Sequence, residues 1–222
     1  MGIETYKETN LHRQLKELYS GGNEYTEIKC GNWVCDIINK DGEITEIQTR
    51  NLSALERKVR DLTRTRSVRI IHPIIEKKTI EKTDKTGTKI ISRRTSPKKE
   101  TPEKIFKELT RLWPYINNPN FTILLVCCDI IELRRETEEK KSRGNNYTVE
   151  NKTLTNINKE ITLAGKDDFL ATGKIPVGKD FTISDLKKAG NKYGGYTLWV
   201  LKKADLIRET GRQGRKKTYS LV

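Results

Sequence analysis

The chain has 222 residues, of which 34% are hydrophobic and 33% charged, and a formal net charge of +14. That length accommodates one large domain or two small ones, with a core that is possible but not generous. The basic excess points to a polyanionic partner, nucleic acid before an anionic membrane surface. The longest apolar run, "FTILLVCCDII" at 121–131, is too short to span a bilayer and contains Asp129.

The N-terminus, "MGIETYKETN", is polar and has no signal-peptide apolar region. Gly2 is present, but Tyr6 stands where a myristoylation signal has Ser or Thr. The expectation is a soluble, cytoplasmic protein. "TNLHRQLKELYSGG" (9–22) reads as a short helix: Leu11, Leu15 and Leu18 share a face, Thr9 or Asn10 caps it, and Gly21 ends it. "EYTEIKC" (24–30) is a strand candidate. "NWVCDIIN" and "EITEIQT" are strands around the turn "KDG". "NLSALERKVRDLTRT" (51–65) is an amphipathic helix, capped by a Ser53–Glu56 box or by Asn51. "SVRIIHPI" (67–74) is a strand closed by Pro73, with His72 near the sheet's edge in a structural role. This order predicts an α/β unit.

Residues 77–94 read as a basic hairpin turning at "DKTG", 102–116 as a helix ending near Pro114, and 120–136 as a long strand. A charged loop over 137–146 and the polar stretch "TVENKTLTNINKEI" suggest a domain boundary, giving domains 1–150 and 151–222. The tail reads as short helices over 166–173, 182–190 (capped by Thr182 or Ser184) and 192–207, followed by strand, Gly-rich turn and strand. That is the layout of a winged helix-turn-helix domain. The four cysteines, Cys30, Cys35, Cys127 and Cys128, show no CxxC spacing and read as buried free thiols. Adjacent Cys127 and Cys128 face opposite sides of a strand.

The hairpin at 33–48 raises a question of charge. A three-residue loop, Lys40-Asp41-Gly42, sets the register Ile38–Ile44, Ile37–Thr45 and Asp36–Glu46. Asp36 and Glu46 then stand side by side with Gln48 further along, and Trp33, Cys35, Ile37 and Ile47 occupy the other face. Opposed like charges destabilise a sheet, and burial aggravates the repulsion. A divalent cation reverses that balance, since Mg²⁺ is commonly held by one or two carboxylates plus waters and phosphate oxygens. Without a metal, the two acids read as a solvated hairpin face.

Asp36, the following nine residues and "Glu46-Ile47-Gln48", on adjacent strands between two helices, resemble the PD-(D/E)XK nuclease superfamily, the restriction-endonuclease-like fold. The likeness covers about residues 9–75. It implies an α/β fold with a mixed sheet flanked by helices, metal-binding Asp36 and Glu46, and a Mg²⁺ cofactor for which Mn²⁺ can substitute. The family's catalytic Lys is replaced here by Gln48, a Glu-x-Gln version, and Cys35 stands where the motif has Pro. The missing charge can come from Lys16, which shares a helix face with His12, or from Lys58; each otherwise reads as a solvated surface cation. Glu27, on the neighbouring strand, is a further candidate metal ligand, ahead of Glu17.

Residues 181–222 carry ten Lys or Arg and three acids, half of the protein's positive excess. The tail resembles winged-helix DNA-binding domains. Its second long helix would enter the major groove with Lys192, Tyr196 and Lys202, while the wing "GRQGRKK", with Arg212, Arg215, Lys216 and Lys217, would follow the backbone or minor groove. Leu198, Val200, Leu201, Leu206 and Trp199 look like core. The resulting expectation is a Mg²⁺-dependent endonuclease of double-stranded DNA. The first choice is a site-specific type II restriction enzyme acting as a homodimer. The alternatives are a repair or junction nuclease, an RNA-directed nuclease, and a non-catalytic DNA-binding regulator on a degenerate nuclease fold.

Overall fold

The computed structural model describes residues 9–22, 25–141 and 145–222. The N-terminal stretch with Gly2 and Tyr6, and the centre of the charged connection expected over 137–146, lie outside those residues. The chain is an α/β protein built on a mixed seven-stranded sheet flanked by helices. The elements in order are α1 (Asn10–Ser20), β1 (Thr26–Cys30), β2 (Trp33–Ile38), β3 (Ile44–Ile47), α2 (Glu56–Leu62), β4 (Val68–Thr83), β5 (Ile90–Thr95), α3 (Ile105–Glu108), β6 (Phe121–Lys141) and β7 (Asn145–Leu163). There follow α4 (Lys166–Thr172), β8 (Phe181–Thr182), α5 (Ile183–Lys188), α6 (Gly194–Lys203), β9 (Ile207–Gln213) and β10 (Lys216–Leu221).

The large sheet runs β1-β2-β3-β4-β6-β7, with β5 paired to the far half of β4. Pairs β3–β4 and β4–β6 are parallel and the others antiparallel. Parallel strands are covered on both faces, which is why 68–71 and 121–126 are near-continuous apolar runs. On one face α1 lays Leu11 and Leu15 over Ile37, Ile47, Ile71, Val126 and Cys128. On the other, Cys35, Ile44, Ile70, Ile123 and Cys127 meet Val59 and Leu62 of α2 and Phe106 of α3. Cys127 and Cys128 therefore do face opposite sides, as adjacent strand residues must. Alternation predicts Cys35 and Ile37 on one face, yet they fall on different sides of the sheet. The partner strand carries Glu27 at φ 54, between the residues paired with Cys35 and Ile37, so the pleat is irregular there.

Several elements depart from the sequence reading for identifiable reasons. The strand at 67–74 runs through Pro73 to Thr83. Pro73 lies between the β3 ladder, which ends at Ile71, and the β5 ladder, which begins at Thr79, so its missing N–H interrupts neither. His72 is consequently buried in a central strand rather than near an edge. The single helix expected over 102–116 is instead a 3₁₀ turn at Pro102–Lys104, α3, and a second 3₁₀ turn at Trp113–Tyr115; Pro114 offers no N–H to a continuing helix. Helix α2 enters through a 3₁₀ turn at Leu52–Leu55, and neither Asn51 nor Ser53 forms the expected side-chain cap. Thr9 and Thr182 do cap their helices, the latter in a capping box with Asp185. The polar stretch read as a boundary, 148–161, is most of β7, which runs from Asn145 to Leu163 and pairs along β6. Residue 150 thus lies within a strand.

Beyond β7 the chain forms α4, α5, α6 and a three-stranded sheet in the order β8-β10-β9. Phe169, Phe181, Leu198 and Leu201 join the same apolar cluster as Phe106 and Ile123. Asn117 Nδ2 donates to the carbonyl of Ala204 at 2.9 Å, and Lys174 Nζ lies 2.6 Å from Glu103 Oε1. Among the described residues no helix is long and apolar enough to cross a membrane.

Phe106 is fully buried and lies against Gly173 of the tail, so it links the two parts of the core. Phe106→Ala should cost about 3–5 kcal/mol in urea unfolding, the range for a large buried aromatic. A loss below about 1 kcal/mol would mean that the tail is not packed on α3 as described.

Candidate functional site

The β2–β3 hairpin closes with Asn39 N donating to Glu43 O at 3.0 Å and Gly42 N donating to Asn39 O at 3.0 Å. Gly42 has φ 80, which a residue with a Cβ rarely adopts. The ladder pairs Ile38 with Ile44 and Ile37 with Thr45, the register the turn dictates. One step on, the ladder gives way to a side chain: Asp36 Oδ2 accepts the N–H of Ile47 at 2.8 Å. Asp36 and Glu46 are therefore near neighbours where β2 and β3 begin to part, but they do not share a face as expected: their carboxylates meet cations on opposite sides of the sheet.

Each acid meets a cation from a different helix. His12 and Lys16, one turn apart on α1, approach Asp36: His12 Nε2 is 3.5 Å from Oδ2 and Lys16 Nζ is 3.9 Å from Oδ1. Lys16 also reaches Glu27 Oε1 at 3.1 Å, so Glu27 holds a lysine at the rim. On the other face of the sheet, Lys58 of α2 lies 2.6 Å from Glu46 Oε2 and donates to the carbonyl of Val34 at 2.5 Å. Lys16 and Lys58 are each only 9% exposed, so neither is the solvated surface cation that its helix position suggested. Glu46 is 4% exposed, and its Oε1 is buried without a hydrogen-bond partner among the described residues.

The two acids titrate apart. Burial pushes the Glu46 carboxyl up to about 6, with the charge of Asp36 adding to the rise and Lys58 opposing it. Burial also acts upward on Asp36, but the His12 contact, the Ile47 N–H and the charge of Lys16 outweigh it and hold that carboxyl below its ordinary range. Gln48 stands apart from this chemistry: its amide donates to Asn51 O at 3.1 Å, and its carbonyl accepts from His72 Nδ1 at 2.7 Å. Glu27 and Asn51, with φ of 54 and 48, are strained positions beside the site. Just past Gln48, a recessed cavity of about 210 Å³ is lined by Arg50, Lys104 and Lys152 together with Glu100, Thr9 and Thr49. Sequence reading misses this basic pocket, because its cations come from three distant segments. A larger hollow of about 750 Å³ lies around Asn39, Gly42 and Arg66, at the opposite end of the hairpin from the acids.

The remaining predicted residues lie in the tail. Lys192 precedes α6, and Tyr196 and Lys202 are on its exposed side. Arg212, Arg215, Lys216 and Lys217 are exposed on the β9–β10 hairpin, with Lys217 and Lys202 both paired to Glu209. Leu198, Val200, Leu201 and Leu206 are core as expected, but Trp199 is 45% exposed. It lies three residues after Tyr196, on the solvent side of α6.

An acid held above its ordinary value favours the folded state only while protonated. Glu46's contribution is therefore complete below the ordinary carboxyl value and is lost as pH rises through about 6. The loss is on the order of 2 kcal/mol. In metal-free buffer, urea unfolding should show wild type losing roughly that much against Glu46→Gln between about pH 4 and about pH 7.5. A stability difference that is flat with pH would contradict the raised carboxyl.

Against known proteins, residues 9–164 match a family described as a domain of unknown function, DUF8091. That span runs from the residue capping α1 to the residue after β7. An uncharacterized protein of Treponema pallidum (strain Nichols) is 24% identical over 220 residues, covering 99% of this chain and 87% of its own length, so that likeness extends through the tail. No solved structure matches the chain. The sheet, its flanking helices and the two-carboxylate site all fall within the matched span, and the chain belongs to the DUF8091 family.

Proposed function

We propose that the protein is a metal-dependent DNA endonuclease of the PD-(D/E)XK kind, with Asp36 and Glu46 as metal ligands and a winged-helix tail that holds the nucleic acid. The observation that carries this reading is the pair of carboxylates on adjacent strands, each met by a lysine from a different flanking helix. The donor set suits Mg²⁺. Glu46 Oε1 is buried and without a hydrogen-bond partner among the described residues, and Lys16 Nζ lies 3.9 Å from Asp36 Oδ1. Among the described residues no three His, Cys, Asp or Glu converge, and Mg²⁺ rarely takes such an all-protein cage, keeping waters and phosphate oxygens in its shell instead. A bound Mg²⁺ would polarise the scissile phosphate and activate a water for in-line attack.

The protein's own groups complete the site. Lys58 supplies the buried positive charge that Gln48 cannot, orienting Glu46 and favouring charge developing at phosphorus. Lys16, steered by Glu27, does the same beside Asp36, and Glu27 acts by holding Lys16 rather than as a metal ligand. Arg50 and Lys152 give the approach to the site positive potential. In the tail, the order α4, β8, α5, α6, β9, β10, with β8 paired to β10, supports the winged helix-turn-helix reading, and the boundary then falls just after β7. One site per chain and two strands per duplex favour a homodimer. The rival reading is a non-catalytic DNA-binding regulator, favoured by the closed Lys58–Glu46 pair and by Gln48.

Incubation with plasmid and Mg²⁺ separates the two. Cleavage is expected, with discrete fragments indicating a site-specific restriction enzyme and smearing a non-specific nuclease; a gel shift without cutting supports the regulator. Asp36→Asn should abolish cutting and leave DNA binding intact or tighter. Lys58→Met should lose about 100-fold or more in rate, with Gln48→Ala changing it little. Full activity in Asp36→Asn would end the assignment.

Wing cations on phosphate should make binding salt-sensitive. Arg212→Ala with Arg215→Ala should weaken binding to every duplex and lower the log–log salt slope by about 0.9 for each phosphate no longer neutralised. An unchanged slope would take the wing off the DNA.

A further inference from the structure

Helix α6 would be the recognition helix of the tail, yet its composition does not suit base-edge reading. Its ten residues, "GGYTLWVLKK", contain no Arg, Asn or Gln, and its lysines, Lys202 and Lys203, lie in its last turn, away from the N-terminal end that contacts base edges in a recognition helix. Its buried side carries Thr197, Leu198, Val200 and Leu201. Its solvent side presents Tyr196 and Trp199, each 45% exposed and close to one turn apart, with Ile183 of α5 exposed nearby.

Trp199 lines one of two adjoining hollows on this side of the tail, and Tyr196 stands outside the lining of both. One, of about 450 Å³, has Trp199, Leu198 and Ile183 in its lining together with Lys202, Arg215 and Lys216. The other, of about 530 Å³, shares Ile183 and Gly195 with the first and extends to Lys187 and Lys192. A Cβ built at Gly195 would meet nothing within 4 Å, so the helix surface between the hollows is open. An apolar, aromatic floor with cations along both ends fits a ligand with flat faces and regularly spaced negative charge.

Paired bases are stacked and offer only their edges, whereas unpaired bases offer a π-face for an aromatic side chain, with a basic groove following the phosphates. We infer that the tail binds unpaired nucleotides, with bases stacked on Trp199 and Tyr196 and phosphates held by Arg215, Lys216 and Lys192. This rests on the proposed nuclease reading only in taking nucleic acid as the partner. It narrows the substrate from uniform duplex to DNA with a single-stranded end or junction.

The test uses the full chain in EDTA, so that no cutting intervenes, and fluorescence anisotropy of a labelled oligothymidylate, a blunt duplex and the same duplex with a single-stranded overhang. Wild type should prefer the overhang substrate to the blunt one. Tyr196→Ala and Trp199→Ala should each weaken single-strand binding by about 5- to 100-fold, the range for loss of one stacked base. Blunt-duplex binding should change less than about twofold, and Trp199→Phe should keep most of the single-strand affinity. Thermal melting checks each variant's fold, and Tyr196 provides a second position if Trp199→Ala fails to fold. Equal losses on duplex and single strand, no loss on either, or a change of oligomeric state in place of a binding defect would overturn the inference; the last would make the strip a protein contact. A protein that cuts plasmid in Mg²⁺ while its alanine variants hold single strands as tightly as wild type loses this inference and keeps the nuclease reading. The reverse pattern does the opposite.

Discussion

A carboxylate buried at the heart of an α/β sheet persists only if a cation is brought to it, and the Lys58–Glu46 contact at 2.6 Å meets that requirement here. Much else follows from it. Helix α2 has to dock with Lys58 directed at β3, and Val59 and Leu62 hold it there by packing on Ile44 and Ile70. The turn at Gly42 has to be three residues long, because a slip of one residue would turn Glu46 away from Lys58 and towards α1. Val34 has to offer its carbonyl to the same ammonium, which fixes where β2 enters the sheet.

The second acid is handled differently. Asp36 is partly solvated, is shared between His12 and Lys16, and accepts a main-chain N–H. One carboxyl is therefore pushed up and its neighbour held down, although both sit on the same hairpin. Such separation is a frequent property of working sites, because two adjacent acids with equal affinities would compete for one proton. Two of the four described non-glycine residues at positive φ, Glu27 and Asn51, also lie beside the site.

The hairpin is legible in the sequence because a turn with one glycine at positive φ leaves little freedom in register. The pairs Ile38–Ile44 and Ile37–Thr45, and so the closeness of Asp36 and Glu46, follow from counting, but the shared face does not: Asp36 meets cations of α1 and Glu46 the lysine of α2 across the sheet. His12 with Lys16 follows from helical spacing. What counting does not supply is depth: helix periodicity places Lys16 and Lys58 near the polar side of their helices, and only the docking angles show that both ammonium groups are drawn inward. Gln48 illustrates the opposite error, since alternation puts it near the acids while its amide turns to Asn51. Segment 151–163 misleads for another reason. Its few apolar residues, Leu154, Ile157, Ile161 and Leu163, pack on the core but are set among long polar stretches, so the strand resembles a linker. Trp199 reads as core because large aromatics usually are.

The long strands have a property of their own. From Ile130 to Lys141, β6 runs beyond most of the apolar core, a reach of roughly 35 Å at the rise of an extended chain. Polar strands with little beneath them have no packing to tell one alignment from another. Here charge makes the distinction. Lys78 meets Glu132, Lys82 meets Glu136 and Lys85 meets Glu138, the first two pairs 54 residues apart in sequence and the third 53. A shift of two residues that carries Lys78 past Glu132 sets it against Arg134. The blade thus carries an electrostatic vernier: the observed alignment brings all three pairs together, and a shift that carries Lys78 on to Arg134 replaces an attraction by a repulsion.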